Sequence, residues 1–332
     1  MTTARNRAID RLRSAASERA RAKAASIMDS ITGEEQDIED DRLRLIFTCA
    51  HPALALPARV ALTLRTVAGL TVAEIASAFL VPETTMAQRL VRARRKIEEA
   101  GIPYRVPPAE LLGERLDGVL TVLYLVFNQG YSALERNELA ASALSLASSV
   151  VDLMPSETEA RALLALLVLQ NSRRDARLGP MGQLLTLEEQ DRSLWHHDEV
   201  ARGLALVPPG DGIYALQAGI AACHARAASS AETDWNAIVE LYDVLLAVSP
   251  SPVIELNRAI AIGMRDGPDA GLTLLARLQL PGYRWLPAAQ GDLLLRAGRT
   301  SEAAERFREA IALSPDGQER SDLQRRLAEL ES

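Results

Sequence analysis

The chain has 332 residues, 48% hydrophobic and 24% charged, with a net charge of −7, only 4% aromatic residues and two cysteines. No run approaches the ~20 apolar residues of a membrane helix and no charged-then-apolar leader opens the chain, so neither insertion nor secretion is expected and the cytoplasm is the expected location. Cys49 and Cys223 lie too far apart in sequence to suggest a disulfide framework or a cysteine-based zinc site, and the Ala-, Leu-, Arg- and Glu-rich composition disfavours sandwiches and barrels, which leaves an all-α fold.

The net charge hides segregation along the chain. Residues 1–23 carry seven basic side chains against two acidic ones, giving +5. Residues 24–58 reverse this to −5, and residues 59–100 return to +3, with Arg89, Arg92, Arg94, Arg95 and Lys96 inside eight positions. The rest of the chain carries −10, so any nucleic-acid surface belongs to the first hundred residues.

In chain order, 1–23 reads as one basic amphipathic helix, with Ala8, Ile9, Leu12 and Ala16 at helical spacing. Residues 24–39 read as an acidic linker, whose charges could occupy a DNA-reading element when DNA is absent or could simply be solvated. From Asp40 the pattern predicts a helix ending near Pro52, then a second from Leu56 with Pro57 in its first turn and Gly69 after its end. Thr71 with Glu74 is a capping box opening a short helix to about Phe79; Leu80 and Val81 make the turn, and Pro82 starts a longer helix that stops before Gly101. A short helix, a tight turn and a longer basic helix make a helix-turn-helix, here within a four-helix domain over 40–101.

The second helix of that pair has an inward stripe of Met86, Leu90, Ala93 and Ile97. The stripe turns Thr84, Thr85, Gln88, Arg89, Arg92 and Lys96 outward. Short polar side chains near the N-terminus suit base edges, and positive ones along its length suit phosphates. A solvated charged face in an ordinary bundle is the plainer alternative.

Residues 108–210 read as a helical domain without a repeat frame, and 211–332 as stacked helical hairpins. Gly291, Ala303, Phe307, Ala310 and Pro315 stand at the offsets of a tetratricopeptide repeat. One period back lie Ala270, Leu274 and Pro281, and a further period back Ile238, Tyr242 and Pro250.

The string TMAQRLVRAR resembles the recognition-helix core of extracytoplasmic-function (ECF) sigma factors, which read the minus thirty-five promoter element. TTARNRAIDRLR resembles their minus-ten-reading helix. DDRLRLIFTCAHPAL, VPPAELLGERLDGVLTVLYLVFNQGYSA, EEQDRSLWHHDEVARGLAL and ALQAGIAACHARA resemble the subgroup with a tetratricopeptide-like C-terminal extension. The resemblance covers essentially the whole chain. It implies that Arg5, Asn6, Asp10 and Arg13 sit on the minus-ten helix and that Thr85, Gln88, Arg89 and Arg92 sit on the minus thirty-five helix. It further implies promoter DNA and bacterial core RNA polymerase as partners, and an extension that contacts and regulates the DNA-reading modules. Family members carry most of a sigma-2 domain before TTARNRAID, so 1–23 is expected to be its remnant and the chain to be truncated and inactive alone.

Other constellations are weaker. Cys49 with His51 could be a metal pair or two core residues, and His196, His197 and Asp198 beside Trp195 could be an acid-base cluster or plain helix polarity. Asp191, Arg192 and Trp195 fit either an interdomain role or packing. No phosphate loop or catalytic triad ordering occurs, so no enzyme activity, cofactor or metal is expected. A DNA-binding regulator that does not act as a sigma subunit, or a repeat scaffold for a protein partner, remain the competing classes.

Overall fold

A computed structural model describes residues 35–79, 81–132, 137–180, 182–315 and 317–331. The described secondary structure is helical apart from one antiparallel bridge between Leu178 and Leu184. The chain divides into two compact units after Val122.

The first helix of this unit among the described residues is α1 (Glu35–Cys49), so the helix expected from Asp40 starts at least five residues earlier and takes in the end of the expected acidic linker. No Gly or Pro follows Gly33 there, and residues of negative charge suit a helix N-terminus. Leu43, Ile46 and Phe47 then bury one side of α1, and Ala50 just after its end is buried too. After the turn at Pro52, α2 (Leu56–Thr66) carries Pro57 in its first turn and buries Val60, Ala61, Leu62, Thr63 and Leu64. The pair α3 (Val72–Ala78) and α4 (Glu83–Glu99) follows, with Pro82 standing as the N-cap of α4 rather than inside it.

A Schellman motif ends α4: the Gly101 N–H donates to Glu98 O at 3.2 Å and the Ile102 N–H to Ile97 O at 3.0 Å, with Gly101 at φ 60°. Ile102 is buried as the motif requires. The sequence placed the end of this domain at residue 101, but the unit runs to Val122 because the first half of α5 (Ala109–Ser132) packs within it. Leu116, Val119 and Leu120 are buried, and a Cβ on Gly118 would stand 3.2 Å from the Ala50 carbonyl.

The second unit contains α6 (Asn137–Leu153), α7 (Thr158–Asn171) and α8 (His197–Leu206). Nine of the fourteen residues of α7, between Ala160 and Leu169, are buried. A helix buried all round has no amphipathic stripe, which is why no repeat frame is legible around it. Three helix pairs follow: α9 (Ile213–Arg226) with α10 (Trp235–Val248), α11 (Pro252–Asp266) with α12 (Pro268–Leu275), and α13 (Trp285–Arg296) with α14 (Thr300–Leu313). The last helix, α15 (Gln318–Glu331), covers α14 through buried Leu323 and half-buried Leu327 and Leu330.

Each pair crosses at a glycine of its first helix. An added Cβ would stand 3.2 Å from Leu241 at Gly219, 3.4 Å from the Gly271 Cα at Gly263, and 2.8 Å from the Phe307 ring at Gly291. Ala303, Phe307 and Ala310 are fully buried in that last crossing. Between α11 and α12 a single residue, Gly267 at φ 102°, both ends one helix and begins the next.

A long connection between α7 and α8 is tied to the far end of this unit. The Leu184 N–H donates to the Asp322 carboxylate at 3.2 Å, Gln318 Nε2 donates to Gly182 O at 3.0 Å, and Glu188 pairs with Arg296.

The glycine crossings predict an asymmetric response to alanine. Gly271→Ala would put a methyl 2.6 Å from Leu293 and 2.9 Å from both the Ala259 carbonyl and the Gly263 Cα, and should destabilise by about 1–3 kcal/mol in urea unfolding. Gly113→Ala meets open space inside α5 and should stabilise by about 0.5–1 kcal/mol.

Candidate nucleic-acid interface

The interface is built on α4, which one short, well-anchored helix positions. The Thr71 N–H and hydroxyl both donate to Glu74 Oε2, at 2.7 and 2.6 Å, and the Glu74 N–H donates back to Thr71 Oγ1 at 3.2 Å. This is the reciprocal capping box that the spacing predicted. The turn is closed by the Val81 N–H on Ala76 O at 3.0 Å.

Met86, Leu90 and Ala93 are buried and hold α4 to its unit, while Ile97 is half-buried. Thr84, Gln88, Arg92 and Lys96 are exposed, and each stands four residues after the last on one ridge of the helix. Thr85 and Arg89 form the flank of that ridge and are half-buried. The Arg89 guanidinium lies 5.6 Å from the centroid of the Phe79 ring in the turn, and Arg92 Nε donates to Gln88 O at 3.3 Å. Arg95 is paired with Glu99 at 2.5 Å. The N-cap of α4, Pro82, makes no side-chain cap, and Glu83 stands in the first turn.

Sequence reasoning missed Val91, which is 64% exposed. It follows Gln88 by three residues and Thr84 by seven, on their side of the helix, where an apolar contact fits a thymine methyl group. Its signal was an apolar residue off the inward stripe. Arg5, Asn6, Asp10 and Arg13, with the basic helix expected over 1–23, lie outside the described residues.

Two other basic side chains of the segment serve the fold. Arg59 donates to Leu54 O at 2.7 Å and Pro52 O at 3.1 Å, and Arg65 donates to Leu70 O at 2.7 Å.

Cys49 and His51 do not converge. The Cys49 sulfur is 3.2 Å from Thr66 Oγ1, and burial pushes its thiol pKa up. His51 Nδ1 accepts from the Ala53 N–H at 3.1 Å, and its pKa is lowered by burial and by Arg115 and Arg59. Among the described residues no three His, Cys, Asp or Glu side chains gather as a metal site would require.

The cluster around Trp195 is a set of braces. Asp191 caps the single helical turn Arg192–Leu194 by accepting from the Ser193 N–H at 2.9 Å. Arg192 lies over the Trp195 ring and donates to His224 O at 2.6 Å and Ala227 O at 2.7 Å, so it clips this turn to the end of α9. His196 bonds Asp175 at 2.7 Å, and Arg174 beside it pairs with Glu199 at 2.7 Å. His197 begins α8, with Asp198 next to it.

Two outcomes follow. Thr71→Ala removes the cap of α3 and should lower stability by about 1 kcal/mol in denaturant titrations. His224, whose pKa burial and the charges of Arg173 and Arg192 lower from 6.5 to about 4, stays neutral in the folded protein while the unfolded chain protonates. Its contribution is therefore whole above pH 6.5 and is lost as pH falls toward 4, by up to about 3 kcal/mol, and His224→Gln should flatten that stretch of the stability profile.

The family described as Sigma-70, region 4 matches residues 44–97, which span the C-terminal end of α1 and all of α2 and α3, and reach into the last turn of α4. A family of unknown function, DUF6596, matches residues 115–210. An uncharacterized protein of Rhizobium meliloti (strain 1021) is 43% identical over 303 residues, covering 88% of this chain and 72% of that protein. No described helix is long and apolar enough to cross a membrane.

Proposed function

The chain belongs to one family with that Rhizobium meliloti protein and carries a sigma-factor-like, DNA-binding region 4, and on this premise we propose that it is a transcription initiation factor of the ECF type. In this reading α4 enters the major groove of the minus thirty-five element while core RNA polymerase holds the factor at the promoter. The observation that carries the proposal is the single ridge of Thr84, Gln88, Arg92 and Lys96, turned away from the buried stripe of a capped helix-turn-helix.

The ridge divides by chemistry. Thr84, Gln88 and Val91 lie nearer the N-terminus and suit base edges, whereas Arg92 and Lys96 suit phosphates. Arg89, stacked on Phe79, reaches DNA from the flank of the ridge. The second unit, with its tetratricopeptide-like hairpins, is the regulatory part of the proposal and stands in for a separate inhibitor or activator of the DNA-reading unit. Action is through binding, with no catalytic step. The Arg5, Asn6, Asp10 and Arg13 set completes the promoter contact in the same proposal.

The test is promoter selection by the full chain with core polymerase, followed by binding of labelled duplexes at several salt concentrations. Arg92→Ala and Lys96→Ala should weaken all sequences alike and reduce the salt slope by about 1 each. Gln88→Ala should cost about 1–3 kcal/mol and relax preference at one base pair. Arg89→Ala should fall in the same range where it meets a base edge. Parental binding by all four variants would remove α4 as the reading helix, and specific binding without polymerase would favour a regulator outside the sigma class. Removing residues after 132 should change promoter output where the second unit regulates, and unchanged output would remove that part.

A further inference from the structure

The second unit contains a cleft of about 390 Å³ between α5, α7 and α9, bordered by Leu187 of the tied connection. Tyr124, Phe127 and Tyr131 stand three and four residues apart on α5, with the Phe127 and Tyr131 rings stacked 5.4 Å apart, Phe127 itself buried and the Arg177 guanidinium 3.6 Å from the Tyr131 ring centroid. Gln170 of α7, Arg173 just after the end of α7 and His224 of α9 also line the cleft, and the Arg173 guanidinium lies 5.7 Å from the Tyr131 ring centroid. The lining contains no carboxylate.

Among the described residues Arg173 has no carboxylate partner, while the negative charge of Glu232 acts on Arg192. Arg174 is neutralised by Glu199, but its neighbours spend their donors on neutral acceptors: Arg173 on Gln170 Oε1 at 2.6 Å, Arg177 on the Tyr131 carbonyl, and Arg192 on the His224 and Ala227 carbonyls. The depressed basicity of His224 reports the positive charge nearby, since Arg173 and Arg192 add to the effect of its burial. A small recess continues from the cleft to Trp195, whose indole N–H is buried without a hydrogen-bond partner, as is the Tyr131 hydroxyl. Donors thus outnumber acceptors around an aromatic slot, and such a site selects an anion with a flat apolar body. One lining guanidinium matches the fork of a single carboxylate, whereas a phosphate dianion would call for more positive charge in the lining.

We propose that this cleft is a ligand site for a small aromatic carboxylate, its ring against Tyr124 and Tyr131 and its carboxylate on the Arg173 guanidinium.

Calorimetric titration of the full chain with 2-naphthoate, and with 2-naphthamide as its neutral counterpart, tests this directly. The acid should bind one to one, and the amide at least about tenfold more weakly, because only the acid completes a charge-assisted pair. Arg173→Gln should bring the acid to the level of the amide, and Ala221→Phe, which fills the cleft, should abolish both while circular dichroism confirms the fold. Absence of saturable acid binding at millimolar concentration would overturn the proposal. So would equal affinity for acid and amide, or acid binding that survives Ala221→Phe. The acid and amide comparison needs no variant, and the titration reads ligand binding alone, so its failure is distinct from a failure of the promoter-binding reading.

Discussion

A helix that reads DNA must be held by one face and leave another bare, and α4 meets this demand with three fully committed side chains. Met86, Leu90 and Ala93 are buried, Ile97 only half so, and the ridge of Thr84, Gln88, Arg92 and Lys96 is exposed. A buried Met or Leu contributes about 1.5–3 kcal/mol, so this stripe is a large share of the few kcal/mol by which a domain exceeds its unfolded state. The devices around α4 make so narrow an attachment sufficient. The Thr71–Glu74 box fixes the preceding helix, the Val81–Ala76 bond fixes the turn, and Gly101 folds Ile102 back into the core at the far end.

Charge is partitioned by partner as much as by sequence. The overall balance is acidic, yet the cations of 59–100 differ in what they meet, Arg95 pairing with Glu99. Arg59 and Arg65 spend their donors on backbone carbonyls, so they stiffen loops. Arg92 and Lys96 stand in solvent on the bare ridge, where a polyanion can displace water and counterions. Around Trp195 the second unit uses Arg192 in the first manner and pairs Arg174 with Glu199, and the cleft lining contains no carboxylate.

Much of the helix-turn-helix was legible because its determinants are local. A capping box, a proline in a first turn and a glycine after a last one each act within a few residues, and the inward stripe of α4 repeats at helical period. The start of α1 was misplaced because acidic residues after Gly33 read equally as linker and as helix N-terminus. The repeat frame faded across α7 because a helix apolar on all sides has no phase. The cleft could not be read at all: its lining comes from α5, α7, α9, Arg173 and Leu187, residues brought together only by packing. Val91 was visible as an apolar misfit but gained meaning only from its exposure.

Stacked helical hairpins ordinarily behave as one-dimensional arrays in which each unit feels only its neighbours, so the array can lengthen, shorten or fray from an end. The bond between Leu184 and Asp322 joins residues 138 apart and turns that open row into a closed loop. Closure of this kind raises the mean sequence separation of contacts, which slows assembly and couples both ends in one cooperative transition. Loss of α15 would therefore be felt at the segment before α8 as well as at α14, and the hairpins cannot be counted as interchangeable modules.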